Sequence, residues 1–307
     1  MTTTMLTDTQ PTTSAVSLRG ISKMYKHFRL ENVNLEIQPG TVNGLIGPNG
    51  AGKTTVMRIM MGLVAPDQGT VSVLEKPISS NEAEVKKSVG YFSDDIRLYK
   101  TESIAWHMQF VRSLFPSWDD VYASQLLDRF GLIPGQKIKG LSHGQRVKAL
   151  LLLILARRPQ LLILDEPTNG LDPVAKQEVH AELMQIVNDD TRTILYSSHN
   201  TQDVEQISDT ITFIDRGRVI ATNNRDDFLD SWRRFKLLIP QGWRKPEIKG
   251  LRVESTFGNL QVVTLDRFQV DVEEHLRSSG AMIEASETMT LEEIFLAVVA
   301  RGREENR

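Results

Sequence analysis

The run Gly47-Pro48-Asn49-Gly50-Ala51-Gly52-Lys53-Thr54 constrains this chain more than any other feature. It fits G-x-x-x-x-G-K-[ST] in full. An apolar stretch, Val42 to Ile46, precedes it as a buried strand would, and Lys53 to Met61 follows with helical spacing, closed by Gly62. Strand, glycine-rich loop and helix together make a phosphate cradle. The glycines permit positive φ and let backbone N–H groups close on phosphate oxygens. The helix N-terminus adds partial positive charge. Lys53 is then expected on the β- and γ-phosphates, and the Thr54 hydroxyl on Mg²⁺. The competing reading is a chance glycine-rich turn, which explains neither the lysine nor the threonine.

A second apolar strand, Leu161 to Leu164, ends at Asp165-Glu166. Asp165 is expected at the metal, and Glu166 is placed to polarise an attacking water. Without the loop at 47–54, two carboxylates at a strand end would read as a solvated terminus.

The rest of the chain sets bounds. Its 307 residues suggest about two domains. With 36 Lys+Arg against 39 Asp+Glu, the net charge is −3, which argues against wrapping nucleic acid by bulk charge. There is no cysteine, so thiolate zinc sites and disulfides are excluded. The longest wholly apolar run, Ala149 to Ala156, is far short of the ~20 residues of a spanning helix. Residues 1–15, seven of them Thr, read as a disordered lead-in without the features of a secretory signal.

Leu30 to Ile37 alternates apolar and polar, as a half-buried strand does. Thr193 to Ser197 is a short strand ending at Ser198-His199, and 211–221 reads as a hairpin across Arg216-Gly217-Arg218. Strands alternating with helices imply a parallel α/β sheet. Residues 94–148 look largely helical and dense in aromatics (Tyr99, Trp106, Phe110, Phe115, Trp118, Tyr122, Phe130). These are expected to form a small core, a groove for a partner's helix, or both. After about residue 225 the character changes. Strands at 235–239, 251–257 and 260–265, a helix over 270–278 and a final helix from Leu291 to Arg301 describe a small C-terminal α+β appendage, 226–307. The last helix opens on a capping-box pattern, Thr290 to Glu293.

Leu141-Ser142-His143-Gly144-Gln145 lies upstream of Asp165. Here the chain resembles the ATP-binding-cassette ATPases, whose signature segment reads L-S-G-G-Q. Asn169-Gly170-Leu171-Asp172 resembles their D-loop, His199 stands at the switch histidine, and Tyr25 at the aromatic that stacks on adenine, with Phe28 as a rival. The resemblance covers roughly residues 16–225. It implies an α/β P-loop NTPase cassette, a RecA-like core with a helical subdomain at about 94–148, followed by the C-terminal domain. It also implies ATP and Mg²⁺ as ligands. Glu166 and His199 would be catalytic. Tyr25, Gly47, Pro48, Asn49, Gly50, Ala51, Gly52, Lys53, Thr54 and Thr55 would bind nucleotide. Ser142, Gly144, Gln145 and Asp172 would act on the nucleotide of a second subunit. Thr54, Asp165 and Asp94 would face the metal.

Two residues depart from the family pattern. His143 replaces the first glycine of the signature, adding bulk near the partner's nucleotide. Asp94 stands after Gly90-Tyr91-Phe92-Ser93 where the family carries glutamine. A carboxylate accepts hydrogen bonds but cannot donate as an amide does.

The finer pattern resembles ATPase subunits of bacterial ABC-2-type exporters, through Thr290 to Phe295 and through Phe115-Pro116-Ser117-Trp118 followed by Lys139 to Ser142. The resemblance implies a transmembrane permease on a separate chain, docked at 94–148. It also implies a second ATPase subunit, in a homodimer or a heterodimer. Such a subunit is cytoplasmic, peripheral on the inner face of the membrane, and needs no nucleic acid. The alternative is a soluble ABC ATPase acting on the ribosome or on nucleic acid. Members of that kind usually carry two cassettes or a long coiled coil, and neither pattern stands out here.

Overall fold

The computed structural model describes residues 14–187 and 192–305. Most of the expected lead-in, 1–13, lies outside the described residues. Ser14 and Ala15 belong to the ordered chain: the Ala15 N–H donates to Ile37 O at 2.8 Å.

The chain begins with β1 (Val16–Met24), β2 (Arg29–Ile37), β3 (Val42–Ile46), α1 (Lys53–Met60), β4 (Gln68–Val73) and the short β5 (Lys76–Pro77). It continues through α2 (Ile78–Ser88), β6 (Val89–Phe92), α3 (Ile104–Leu114), α4 (Asp120–Arg129) and α5 (His143–Leu155). Next come β7 (Leu161–Asp165), α6 (Pro173–Val187), β8 (Thr193–Ser198), α7 (Thr201–Glu205), β9 (Thr210–Asp215) and β10 (Arg218–Asn224). The last part holds α8 (Arg225–Ser231), β11 (Arg233–Leu238), β12 (Arg252–Phe257), β13 (Leu260–Leu265), α9 (Asp271–Ser278), β14 (Met282–Thr288) and α10 (Leu291–Glu305).

The central sheet has the order β10-β9-β3-β8-β7-β6. Its strands are parallel from β9 to β6, and β10 is antiparallel. Every residue of β3, β7 and β8 is buried, as expected for strands covered on both faces. The period of two then divides each strand between two cores. Leu45, Leu161, Ile163, Leu195 and Ile214 join one cluster with α1 and the antiparallel sheet β2-β1-β4-β5. Ile46, Leu162, Leu164, Ile194, Tyr196, Ile211 and Phe213 join the other, against α4, α5, α6 and α7. The apolar run at 149–156 is explained by this burial, since α5 is enclosed from Ala149 onward.

The segment 94–148 is less helical than its composition suggests. Residues 94–103 carry no helix, and an isolated bridge pairs Ser103 with Lys137. Phe115 falls outside α3 at its C-cap and lies 3.6 Å beneath the Arg157 guanidinium. The aromatics divide between both expected roles. Tyr122 and Phe130 are buried, whereas Tyr99, Trp106 and Phe110 form an exposed ladder, with Trp106 stacked on Phe110 at 5.3 Å.

Strands β12-β13-β11-β14 form an antiparallel sheet that closes its own core with α9. The packing does not divide at residue 225. Phe228, Trp232, Met289, Leu291 and Ile294 join the cassette cluster, and Phe295 meets Phe213 edge-on at 5.2 Å. Helix α10 runs to Glu305, past the expected end at Arg301, and Arg303 pairs with Asp215 at 3.3 Å.

Candidate nucleotide site

Strands β3, β8 and β7 are adjacent and parallel, so their C-terminal ends deliver three loops to one edge. After β3 comes the loop 47–52. A Cβ on Gly47 would lie 2.3 Å from Ile214 O, so the loop needs a bare backbone there. Gly52 has φ +114° at the N-cap of α1, which no side chain caps. The N–H groups of the first turn are left for an anion.

Lys53 is only 5% exposed. Its ammonium donates to Gly47 O at 2.7 Å and Pro48 O at 3.3 Å, and lies 3.0 Å from Glu166 Oε1. The other oxygen of Glu166 lies 2.6 Å from His199 Nδ1, at the end of β8. Glu166 has φ +51°, a left-handed conformation costing a non-glycine residue about 1 kcal/mol or more. Its N–H donates to Ser197 O at 3.2 Å and to Ser197 Oγ at 3.1 Å, which helps hold that geometry. The Ser197 hydroxyl in turn donates to Asp165 Oδ1 at 2.7 Å. Sequence reasoning missed Ser197 as a participant. Its register between Leu45 and Asp165 explains the placement, and the serine pair before His199 is the available signal.

The loop, Lys53, Asp165, Glu166 and His199 therefore come together. A buried ammonium, an uncapped helix N-terminus and a positive-φ glycine loop fit a polyphosphate. No group of three or more acidic or histidine residues is arranged to hold a metal alone among the described residues. A divalent ion fits only with help from hydroxyl and phosphate oxygens. Asp165 Oδ2 and the Thr54 and Thr55 hydroxyls make no hydrogen bond among the described residues, which leaves them free for that purpose. The Asp94 carboxylate is exposed and also unpaired among them, while its carbonyl accepts from Arg97.

The other expected residues lie elsewhere. Ser142 caps α5: its Oγ accepts from Gln145 N at 3.2 Å while its N–H donates to Gln145 Oε1 at 2.9 Å. The hydroxyl proton stays available to an outside acceptor. Asp172 caps α6, accepting from Val174 N and Ala175 N at 3.0 and 2.9 Å. Among the described residues, Ser142, Gly144, Gln145 and Asp172 make no hydrogen bond to the loop, Glu166 or His199. Tyr25 is exposed, tilted against Phe28 at 6.3 Å. Phe28 reaches nearer the loop, its Cζ 2.9 Å from where a Gly52 Cβ would stand.

Behind the site, Thr168 Oγ1 lies 2.7 Å from Tyr196 Oη and donates to Asp203 Oδ2 at 3.0 Å. His180 Nε2 lies 3.3 Å from the same tyrosine. Burial pushes the Tyr196 phenol up and the His180 imidazole down from their ordinary pKa values.

Residues 30–169 match the ABC transporter family. A lantibiotic transport ATP-binding protein of Streptococcus pyogenes, SrtF, is 35% identical over 214 residues, 69% of this chain and 91% of its own length. The chain belongs to the ABC transporter family. Within it, this is an ATP-binding, ATP-hydrolysing transporter subunit. A Nod factor export ATP-binding protein of Rhizobium etli is 27% identical over 303 residues, 95% of each chain, so that likeness extends through the C-terminal part. A solved structure described as the ATP-binding subunit of an ABC transporter superposes with TM-score 0.64 at 24% identity, covering 71% of this chain and 92% of that one. It matches the cassette in fold. No helix among the described residues is long and apolar enough to cross a membrane.

Proposed function

We propose that the chain powers an ABC-2-type exporter, working as one of two ATPase subunits on the cytoplasmic face of a permease carried by a separate chain. The observation that carries the proposal is the Lys53–Glu166–His199 constellation beside the uncapped start of α1. An incoming triphosphate takes the loop N–H groups and the Lys53 ammonium. Glu166 then loses its ion partner and is free to accept a proton as water attacks the γ-phosphorus and the bond to the β-phosphate oxygen breaks. His199 donates its Nδ1–H to the second oxygen of the carboxylate and orients it; the imidazolium form also donates from Nε2 to the γ-phosphate. Thr54 and Asp165 would hold Mg²⁺, with Asp94 approaching as an acceptor. When bound, the ion neutralises charge on the phosphates. Tyr25, with Phe28 behind it, offers the adenine a stacking face.

Ser142, Gly144, Gln145 and Asp172 have no work at Lys53 within one chain. A second copy supplies them to the first copy's nucleotide. The set is complete in a single sequence, which supports two equal sites.

The names of the relatives, lantibiotic transport and Nod factor export, support a transport role, the latter with an export direction. A cavity of about 550 Å³ lies between the Asp94 segment and α5, lined by Ile96, Leu98 and Val147 together with Arg97, Lys100 and Arg146. Its apolar floor and excess of cations suit a short permease helix with acidic residues, seated near the Trp106–Phe110 ladder.

Two experiments test this reading. Glu166→Gln should keep ATP binding and lose turnover by about 100-fold or more; wild-type-like hydrolysis would refute the role of Glu166. Pull-down of the full chain from solubilised membranes should bring a multi-span partner. Ribosomes or nucleic acid in its place would favour the soluble alternative.

A further inference from the structure

We propose that His143 is a positioning residue for hydrolysis, tying the start of α5 to the Asn169–Asp172 turn and, through Asn169, to Glu166. His143 Nε2 lies 3.1 Å from the Asn169 carbonyl oxygen. A carbonyl only accepts, so Nε2 carries the proton and donates. The Asn169 N–H donates in turn to Glu166 O at 3.1 Å. Two hydrogen bonds through one residue therefore join the imidazole to the backbone of Glu166. That backbone sits at φ +51°, a conformation that persists only where its surroundings over-determine it. Ser197 restrains Glu166 at its N–H, and the Asn169 turn restrains it at its carbonyl.

The ring is exposed and lies along the Asn169–Asp172 turn. Gly170 has φ +70°, and a Cβ there would stand 3.3 Å from His143 Nε2 and 3.5 Å from Cδ2. Alongside, a Cβ on Gly144 would stand 3.6 Å from Leu171 Cδ2 and 3.8 Å from the Ala175 Cβ. The first turn of α5 and the Asn169–Asp172 turn thus form one packed seam, with the His143 hydrogen bond as its polar link. Glycine, the residue of the family's signature at this position, has no side chain to make that link.

His143 also lines the cavity beside Asp94, Arg97 and Arg146. A segment seated there bears on the imidazole, and the imidazole bears on Asn169. The route from docking cavity to Glu166 stays inside one subunit and is separate from what Ser142 and Gly144 do across the pair. The inference rests on the reading of Glu166 as proton acceptor.

The test is steady-state ATPase kinetics of the purified full chain with His143→Gly, His143→Leu and His143→Gln. The glutamine carboxamide can donate from nearly the position of Nε2. Glycine and leucine should lower kcat about fivefold, corresponding to about 1 kcal/mol, with KM for ATP within about twofold. Glutamine should restore kcat to within about twofold of wild type. Glycine and leucine should lower the nucleotide-free thermal midpoint by no more than the roughly 2–4 °C that one lost hydrogen bond costs, and a larger fall would mean that the kcat loss reflects folding rather than positioning. Unchanged kcat with glycine, glutamine as slow as glycine, or a raised KM at unchanged kcat would each overturn the proposal. Glu166→Gln run beside them separates the two readings. If it keeps turnover, the site reading and the tie fail together. If it loses turnover while His143→Gly keeps kcat, only the tie fails.

Discussion

Ser197→Ala removes one oxygen atom and disturbs two partners at once, the Asp165 carboxylate and the Glu166 backbone N–H. The hydroxyl is fully buried, donates to Asp165 Oδ1 at 2.7 Å, and accepts from Glu166 N at 3.1 Å. The donated bond goes to a carboxylate that is itself buried. Hydrogen bonds to charged groups contribute about 1.5–3 kcal/mol each. The accepted bond is partly redundant, because Glu166 N also reaches Ser197 O at 3.2 Å. The expected loss is therefore about 2 kcal/mol, nearly all from Asp165. At 2–4 °C per kcal/mol for large domains, the thermal midpoint should fall by roughly 4–8 °C. The assay is a thermal scan of the full chain without nucleotide, so that no ligand binding masks the loss. Ser197→Cys, a similar shape with a weak donor, should fall between wild type and alanine. A shift under about 1 °C for alanine would refute the reasoning that Ser197 supports Asp165.

Two further outcomes follow from packing and protonation. Phe295→Ala removes the ring that meets Phe213 at 5.2 Å and should cost about 2 kcal/mol, read as a lower urea midpoint; a change below about 0.5 kcal/mol would mean that α10 is not anchored on the cassette. His180 has its pKa lowered, first by burial, against the opposing pull of Asp203. The unfolded chain then binds this proton more readily than the folded one, so stability should decline as pH falls below the ordinary imidazole value of 6.5. Urea midpoints between pH 7.5 and 5.5 should show a slope that His180→Gln reduces; an identical slope in the variant would contradict the assignment.

Motifs whose function needs fixed spacing along the chain were legible in the sequence. Gly47 to Thr54 and the strand before Asp165 carry their chemistry in consecutive residues, and the structure sets both on neighbouring strand ends. The alternation in Leu30 to Ile37 marked β2 because one face is buried and the other solvated. Helix α6 escaped notice although Ala175, Val179, Leu183 and Ile186 repeat at helical spacing, a signal that was there to be read. Strand β14 gives almost no signal. It is an edge strand in which Ile283 and Ala285 are only half-buried between exposed neighbours, so its alternation is short and weak. Ser197 and the His143–Asn169 bond were hidden for a different reason. Each is a tertiary contact between residues more than twenty positions apart, set by strand register or helix packing rather than by local pattern. The same holds for Trp232 and Ile294, which flank the small C-terminal sheet in sequence but join the cassette core.

The central claim is that two copies close on ATP, each completing the other's site. Sedimentation of Glu166→Gln with ATP and Mg²⁺, with ADP and Mg²⁺, and without nucleotide tests it most directly. The account predicts a dimer with ATP alone, abolished when Ser142→Arg is added to the same chain. A protein that stays monomeric with ATP, or a dimer indifferent to both nucleotide and Ser142, would contradict it.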